Sequence, residues 1–135
     1  MSNPHILVVD DEPKLVLLVR QILSALGYQI SAASSGEQAL ESVAMEQPDL
    51  VILDVMMPKI DDGIQTYEQF RTDQKLSHIP IIMLSAIAKK TFVHSIRMLR
   101  PRRDARIPEP EAYMEKPPDA DELGKLISEL LPSKH

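Results

Sequence analysis

The sequence predicts an α/β protein with a doubly wound, five-stranded parallel sheet. Short apolar runs recur along the chain, and stretches with helical spacing of apolar residues separate them. This alternation implies parallel strands that are joined by helices on both faces of the sheet. The 135 residues, 44% of them hydrophobic, fit one globular domain. We therefore expect residues 1–135 to form a single domain without a fused output domain.

The strands are predicted from their apolar character and from what bounds them. The first and third runs are apolar throughout, as in strands buried on both faces, whereas the second alternates weakly and is expected to be peripheral. The fourth follows Pro80 and leads to Ser85, and the short fifth stops at Lys116-Pro117. The predicted strands are Ile6–Val9, Tyr28–Ala33, Leu50–Leu53, Ile81–Leu84 and Ala112–Glu115.

The first two helices have recognisable ends. Pro13 suits the first turn of a helix, and Gly27 is expected to end that helix. Ser34 or Ser35 can cap the second helix. The predicted apolar positions are Val16, Val19, Ile22, Leu23 and Leu26 in the first helix, and Ala39, Leu40 and Val43 in the second.

Three further helices follow in the second half of the chain. The third is predicted from about Ile64 to about Thr72, with Asp61 or Asp62 as its cap. The fourth and fifth are marked by Phe92, Val93, Ile96 and Leu99, and by Leu123, Leu126, Ile127, Leu130 and Leu131 from about Asp121 onward.

Composition excludes several kinds of protein. The formal charge of −5 argues against general nucleic-acid binding, and the lack of cysteine excludes thiolate metal sites and thiol nucleophiles. The four histidines are scattered without ligand spacing. Neither a signal peptide nor a run of membrane-spanning length is visible, so we expect a cytoplasmic protein.

Carboxylates follow two of the buried strands. Asp10 and Asp11 come directly after the first strand, and Asp54 comes directly after the third. In an open parallel sheet, ligands bind beyond the carboxyl ends of the strands, where the strand order reverses. Three carboxylates gathered there would repel each other without a counter-charge. A hard divalent cation with oxygen ligands is the counter-charge we expect.

Polar residues follow four of the five predicted strands, and in this order they make the chain resemble the receiver domain of two-component response regulators. They are Asp10-Asp11, Asp54, Ser85 and Lys116. The phrases Ile-Leu-Val-Val-Asp-Asp-Glu, Pro-Asp-Leu-Val-Ile-Leu-Asp-Val-Met-Met-Pro and Glu-Lys-Pro are also typical of that family. The resemblance covers essentially the whole chain and implies a flavodoxin-like fold with strand order 2-1-3-4-5.

The resemblance implies a role for each of these residues. Asp54 would accept a phosphoryl group from a sensor histidine kinase or a phosphotransfer protein. Mg²⁺ would be held by Asp11 and Asp54 directly, by Asp10 through water, and by the backbone carbonyl of Met56. Lys116, next to a cis bond to Pro117, and the hydroxyl of Ser85 would bind the phosphoryl oxygens.

Tyr113 stands where the family has an aromatic residue that responds to phosphorylation. The resemblance implies that its inward or outward rotamer reports the state of the site on the face of the fourth helix, fifth strand and fifth helix. A purely structural tyrosine on an edge strand is the alternative.

The chain departs from the family pattern in two loops. The loop Met57–Gly63 is one residue longer than usual, and the connection of about 88–111 between the fourth and fifth strands is longer and lacks the usual Gly-Ala. Prolines 101, 108 and 110 forbid a continuous helix there. The arginines Arg100, Arg102, Arg103 and Arg106 either lie on a solvated insertion or dock an acidic protein partner. They lack the aromatic platform and recognition helix of a nucleic-acid site, so we do not expect DNA as a partner. We expect no membrane partner either, since no apolar run is of membrane-spanning length.

Three functions compete. The first is a phosphorylated signalling receiver that acts through contacts with a downstream protein and catalyses only its own phosphorylation and dephosphorylation. The second is a phosphatase of the haloacid dehalogenase type, which would need an aspartate where Met56 stands. The third is an interaction module that keeps the receiver fold but works without phosphorylation.

Overall fold

Five parallel strands form one sheet, as the sequence predicts. The computed structural model describes residues 3–55, 60–92, 94 and 109–131, without the side chains of 60–62. The strands are β1 (His5–Val9), β2 (Gln29–Ala33), β3 (Leu50–Leu53), β4 (Ile81–Ser85) and β5 (Ala112–Glu115). The helices are α1 (Pro13–Ala25), α2 (Gly36–Met45), α3 (Ile60–Thr72), α4, which begins at residue 89 and is described at 89–92 and 94, and α5 (Ala120–Leu130).

The strand order is β2-β1-β3-β4-β5, which confirms the predicted topology. The chain runs from β1 outward to β2 and then returns across β1 to β3, so the order reverses between β1 and β3. Their register pairs Val9 with Leu53. The residues that follow these two positions therefore leave the sheet side by side, at the place where ligands bind in open α/β sheets.

Helices pack on both faces of the sheet, because alternate strand residues point to opposite sides. On one face, Leu7 and Val9 belong to a core with the apolar residues of α2, α3 and α4. On the other face, Ile6 and Val8 belong to a core with those of α1 and α5. Strands β1, β3 and β4 are buried along their whole length, whereas β2 is a half-exposed edge.

The first helix buries a slightly different face from the predicted one. Leu15, Val19 and Leu23 are its buried residues, and Leu26 is 50% exposed, so its assignment to the buried face is wrong. Leu26 is the C-cap residue, one position beyond the last helical residue Ala25, so it follows the helix instead of lying on its buried face. Gly27 follows with a φ of 89°, the conformation that ends many helices, as predicted.

The second and fifth helices have side-chain caps. Ser35 accepts a hydrogen bond from the backbone N of Gln38 at 3.1 Å, which selects Ser35 over Ser34 as the cap of α2. Asp119 caps α5 by accepting from the backbone N of Glu122 at 2.9 Å.

The third helix begins one turn earlier than predicted. Because α3 starts at Ile60, Asp61 and Asp62 lie in its first turn, and their assignment as caps is wrong. Acidic residues are favourable both at a helix cap and in the first turn, so this pattern does not distinguish the two positions. Close packing distinguishes Gly63, because the lack of a side chain lets α3 lie directly against the end of β3. A Cβ atom there would lie 1.8 Å from the carbonyl oxygen of Val55.

In the described part of the chain, no helix combines the length and the apolar character needed to cross a membrane.

Replacing Gly63 by alanine is expected to lower the free energy of unfolding by about 2 kcal/mol or more, because its methyl group would overlap backbone. Gly124→Ala is the matched control, since it also adds a methyl group within a helix. There the methyl group would meet only the tip of the half-exposed Leu26 side chain at 3.2 Å. Helix propensity should then make Gly124→Ala neutral, or stabilising by up to about 1 kcal/mol. Urea unfolding followed by circular dichroism measures both, and equal midpoints for the two variants would contradict the expectation.

Candidate functional site

The carboxyl ends of β1 and β3 place two aspartates side by side. The backbone N of Asp54 donates to the carbonyl of Val9 at 2.9 Å, so the sheet ladder continues to the site itself. On the other side, the backbone N of Asp10 donates to Ala33 at 3.0 Å. Both aspartates are almost fully buried, at 3% exposure for Asp10 and 4% for Asp54. The predicted convergence is therefore present.

Asp11 completes a cluster of three carboxylates. One oxygen atom from each of Asp10, Asp11 and Asp54 lies within 4.8 Å of the other two. Asp11 is exposed, so the cluster opens to solvent on that side. Asp10 has a further task, since its Oδ1 accepts from the backbone N of Glu12 at 2.9 Å and so orients the turn into α1.

Lys116 lies among these carboxylates as a counter-charge. Its Nζ is 3.0 Å from Oδ2 of Asp10 and 3.3 Å from Oδ2 of Asp54. Burial by itself lowers the pKa of Lys116, but the hydrogen bond to Asp10 and the charges of Asp54 and Asp10 outweigh burial and raise it. The lysine therefore stays protonated at neutral pH. The family resemblance implied Lys116 at this site as a charge for the phosphoryl oxygens, and the structure adds that it contacts both Asp10 and Asp54.

One lysine does not neutralise the cluster. Burial raises the pKa of Asp10 in spite of its hydrogen bonds to Glu12 and Lys116, so the folded protein disfavours its ionised form. The set of donors consists of carboxylate oxygens, one of them open to water. Such a set fits a hard divalent cation such as Mg²⁺, which takes few protein ligands and keeps several waters.

Ser85 and Tyr113 lie beside this cluster on the neighbouring strands. Ser85 ends β4 and is fully buried, and its carbonyl accepts from the backbone N of Lys116 at 2.8 Å. The Tyr113 hydroxyl donates to the carbonyl of Ile87 at 2.7 Å, in the loop that follows Ser85. Burial raises the pKa of Tyr113 to about 12, so this hydroxyl is protonated and able to donate at neutral pH. Tyr113 is thus turned inward in this structure.

The structure shows where most of the predicted site residues lie. Asp10, Asp11, Asp54 and Lys116 come together, and the bond from Lys116 to Pro117 is cis, as expected. Met56, predicted as a carbonyl ligand, lies outside the described residues. The arginines of the predicted docking segment, Arg100, Arg102, Arg103 and Arg106, lie outside them as well.

Comparison with known proteins identifies the class to which this fold and site belong. A family model of the response regulator receiver domain matches residues 6–128, so the chain belongs to that family. The receiver domain of NtrX from Brucella abortus superimposes with a TM-score of 0.76 at 27% identity, over 96% of this chain and 99% of that one.

Among curated relatives, the alkaline phosphatase synthesis transcriptional regulatory protein PhoP of Bacillus subtilis is 50% identical over 84 residues. The alignment covers 62% of this chain and 34% of PhoP. The DNA-binding dual master transcriptional regulator RpaA of a Synechocystis strain is 36% identical over 86 residues, 64% of this chain and 35% of that protein. The chain thus matches about a third of the length of these relatives.

The acidic cluster predicts a pH-dependent stability in metal-free buffer. Because burial raises the pKa of Asp10, the folded state binds its proton more tightly than the unfolded state does. Stability should therefore fall as pH rises from about 4 through the folded pKa. Asp10→Asn should remove this loss, so the variant should be the more stable protein at pH 7, by a margin that shrinks toward pH 4.

Urea unfolding at a series of pH values, with a chelator present, measures this margin. Glu41→Gln removes an exposed carboxylate from α2 and serves as the control, with no comparable change expected. A margin that is constant across the series would contradict the assignment to Asp10.

Proposed function

We propose that this receiver takes a phosphoryl group on Asp54 from a sensor histidine kinase or a phosphotransfer protein and signals through contacts with a downstream protein. The observation that carries the proposal is the placement of Asp54, nearly buried, beside two further carboxylates and within 3.3 Å of a charged lysine. Family membership supports the same chemistry.

In the proposed reaction, a carboxylate oxygen of Asp54 attacks the phosphorus atom of a phosphohistidine. The phosphorus–nitrogen bond breaks, histidine leaves, and an acyl phosphate forms. Transfer of this kind depends mainly on positioning the groups and on neutralising the charge of the phosphoryl oxygens. Asp10, Asp11 and Asp54 would hold Mg²⁺, with the Met56 carbonyl as a further ligand, and the bound ion would supply most of that neutralisation.

Besides the metal ion, the protein's own Lys116 supplies positive charge at the site. Its ammonium group already contacts Asp54, and a short movement would bring it to the new phosphoryl oxygens. Ser85 would donate its hydroxyl to the same oxygens. The Tyr113 hydroxyl is hydrogen-bonded to the carbonyl of Ile87, in the loop after Ser85. Movement of Ser85 would therefore shift this loop and with it the Tyr113 side chain.

The partners beyond phosphoryl transfer stay predictions. PhoP and RpaA are transcriptional regulators by name, and RpaA is named as DNA-binding, but the chain matches only about a third of each. We infer that the described part of the chain acts through protein contacts, since the net charge of the whole sequence is −5. The stand-alone form and the cytoplasmic location remain predictions from the sequence.

Phosphorylation can be tested directly. Incubation with acetyl phosphate and Mg²⁺ should add one phosphoryl group to the intact mass of the native protein, and Asp54→Asn should abolish the adduct. Asp11→Asn should lower the initial rate at least tenfold, because it removes a metal ligand. Glu41→Gln should react like the native protein.

The outcome separates the competing functions. An adduct that needs both Asp54 and Mg²⁺ supports the phosphorylated receiver. Absence of any adduct on the folded native protein would favour the module that works without phosphorylation.

The arginine-rich segment provides a separate test. Replacing Arg100, Arg102, Arg103 and Arg106 by alanine should weaken binding to the protein partner at least tenfold if the segment docks an acidic surface. The control replaces the exposed residues Lys14, Arg20 and Lys75, which lie outside α4, β5 and α5, so it removes positive charge without altering that face. Equal affinities of the two variants, measured by calorimetry with the partner that co-purifies with phosphorylated protein, would favour a solvated insertion.

A further inference from the structure

A buried arginine at the end of α3 takes no part in the chemistry proposed above. The Arg71 side chain is only 3% exposed. Its Nε donates to the Tyr67 hydroxyl at 3.1 Å, and its Nη1 donates to the carbonyls of Ser77 and Ile79 at 3.3 and 3.2 Å. The guanidinium also lies 5.1 Å from the centre of the Tyr67 ring. A buried charge with this many hydrogen bonds cannot move without breaking some of them, which would be costly. The position of the Arg71 side chain is therefore tightly constrained.

The remaining nitrogen of Arg71 holds the residue that comes before β5. Its Nη2 pairs with Oε1 of Glu111. The same oxygen accepts from the backbone N of Ile81, the first residue of β4, at 2.7 Å. One carboxylate therefore ties the beginning of β5 to the beginning of β4 and to the end of α3.

Strand β5 depends on such a tie because it is short and lies at the edge. It has four residues, and within the described part of the chain it pairs with β4 alone, with Tyr113 opposite Met83. A shift of one residue would turn its side chains to the opposite faces. The position of β5 also sets the position of Lys116, which follows the strand and contacts Asp54.

A row of packed aromatic side chains also connects Arg71 to β5. The ring of Tyr67 packs edge-on against Phe92, with 6.0 Å between centroids. Phe92 in turn packs against Tyr113 at 5.5 Å. The aromatic row Tyr67–Phe92–Tyr113 thus connects the arginine to the side chain that faces the loop after Ser85.

We propose that Arg71 is a positioning residue for the phosphoryl chemistry, which it serves by holding Glu111 and thereby fixing β5 with Lys116 and Tyr113. This inference rests on the proposed function of Asp54. It gives the residues at the end of the long connection a role, since that connection lacks the Gly-Ala usual before the fifth strand.

Substitutions at both ends of the pair test the proposal. Arg71→Leu and Glu111→Leu should each lower the initial rate of Asp54 phosphorylation by acetyl phosphate at least fivefold. Glu111→Gln keeps an acceptor oxygen for Arg71 and Ile81 and should stay within twofold of the native rate. Val19→Ala weakens the core on the other face of the sheet and controls for lost stability, so its rate should be unchanged.

A double variant distinguishes positioning from a general loss of structure. If Arg71 acts through Lys116, then adding Arg71→Leu to a Lys116→Met variant should lower the phosphorylation rate no further. The slower reactions of these variants are measured over longer incubations. Rates that fall by the product of the two single effects would overturn the proposal.

Amide hydrogen exchange tests the tie without any phosphorylation. Exchange of the β5 amides should be at least tenfold faster in Arg71→Lys and Glu111→Leu, while exchange in β1 stays unchanged. Arg71→Lys keeps the charge, so it serves if Arg71→Leu does not fold. Unchanged exchange in β5 would overturn the positioning role of Arg71. If the native protein takes no phosphoryl group, the proposed function fails, and hydrogen exchange still tests whether Arg71 and Glu111 hold β5 in place.

Discussion

The contact of Lys116 with two buried carboxylates is the interaction on which the site depends. Asp10 and Asp54 are nearly excluded from water, and each loses hydration that an ionised carboxylate requires. The Lys116 ammonium group lies 3.0 Å from Asp10 and 3.3 Å from Asp54, and its charge compensates for part of the lost hydration. The raised pKa of Asp10 shows that the compensation is incomplete. Among the described residues, the cluster is therefore short of positive charge, which is the property that a site for a divalent cation and a phosphoryl group requires.

The strand order explains why these residue types occupy these positions. Asp10 and Asp54 end neighbouring strands, so short side chains suffice to bring their carboxylates together. Strand β5 lies two strands away from β3, a distance of roughly 10 Å at the usual spacing. Only a long side chain spans that distance, and Lys116 does so to contact Asp54. Ser85 ends the intervening strand β4 and is fully buried.

The reach of Lys116 also depends on how the chain enters β5. The preceding connection differs from the family pattern, so the strand cannot rely on the usual residues for its position. Glu111 meets both a backbone donor of β4 and the guanidinium of Arg71 at that entry. An edge strand of four residues thus receives its register from contacts outside its own ladder.

Local patterns in the sequence predicted much of the fold and the candidate site. The apolar run located Leu50–Leu53 with the bounds that the structure has, because a strand buried on both faces is apolar throughout. Ala112–Glu115 also has its predicted bounds, although this edge strand is only partly buried and was located by the Lys116-Pro117 that follows it. Polar residues at strand ends located the acidic cluster, because parallel strands bring their carboxyl ends to one edge. The start of α3 was misplaced, since acidic residues suit a cap and a first turn equally.

Contacts between distant residues were decided only in the tertiary structure. Arg71 and Glu111 are 40 residues apart, and Lys116 and Asp54 are 62 residues apart, so no local spacing indicates either pair. The exposure of Leu26 likewise depends on where α1 ends relative to its neighbours, not on helical spacing. The sequence by itself determined which residues are apolar, which are charged and where strands end. The packing of the sheet decided which charges meet, because that depends on the order and register of strands far apart in the chain.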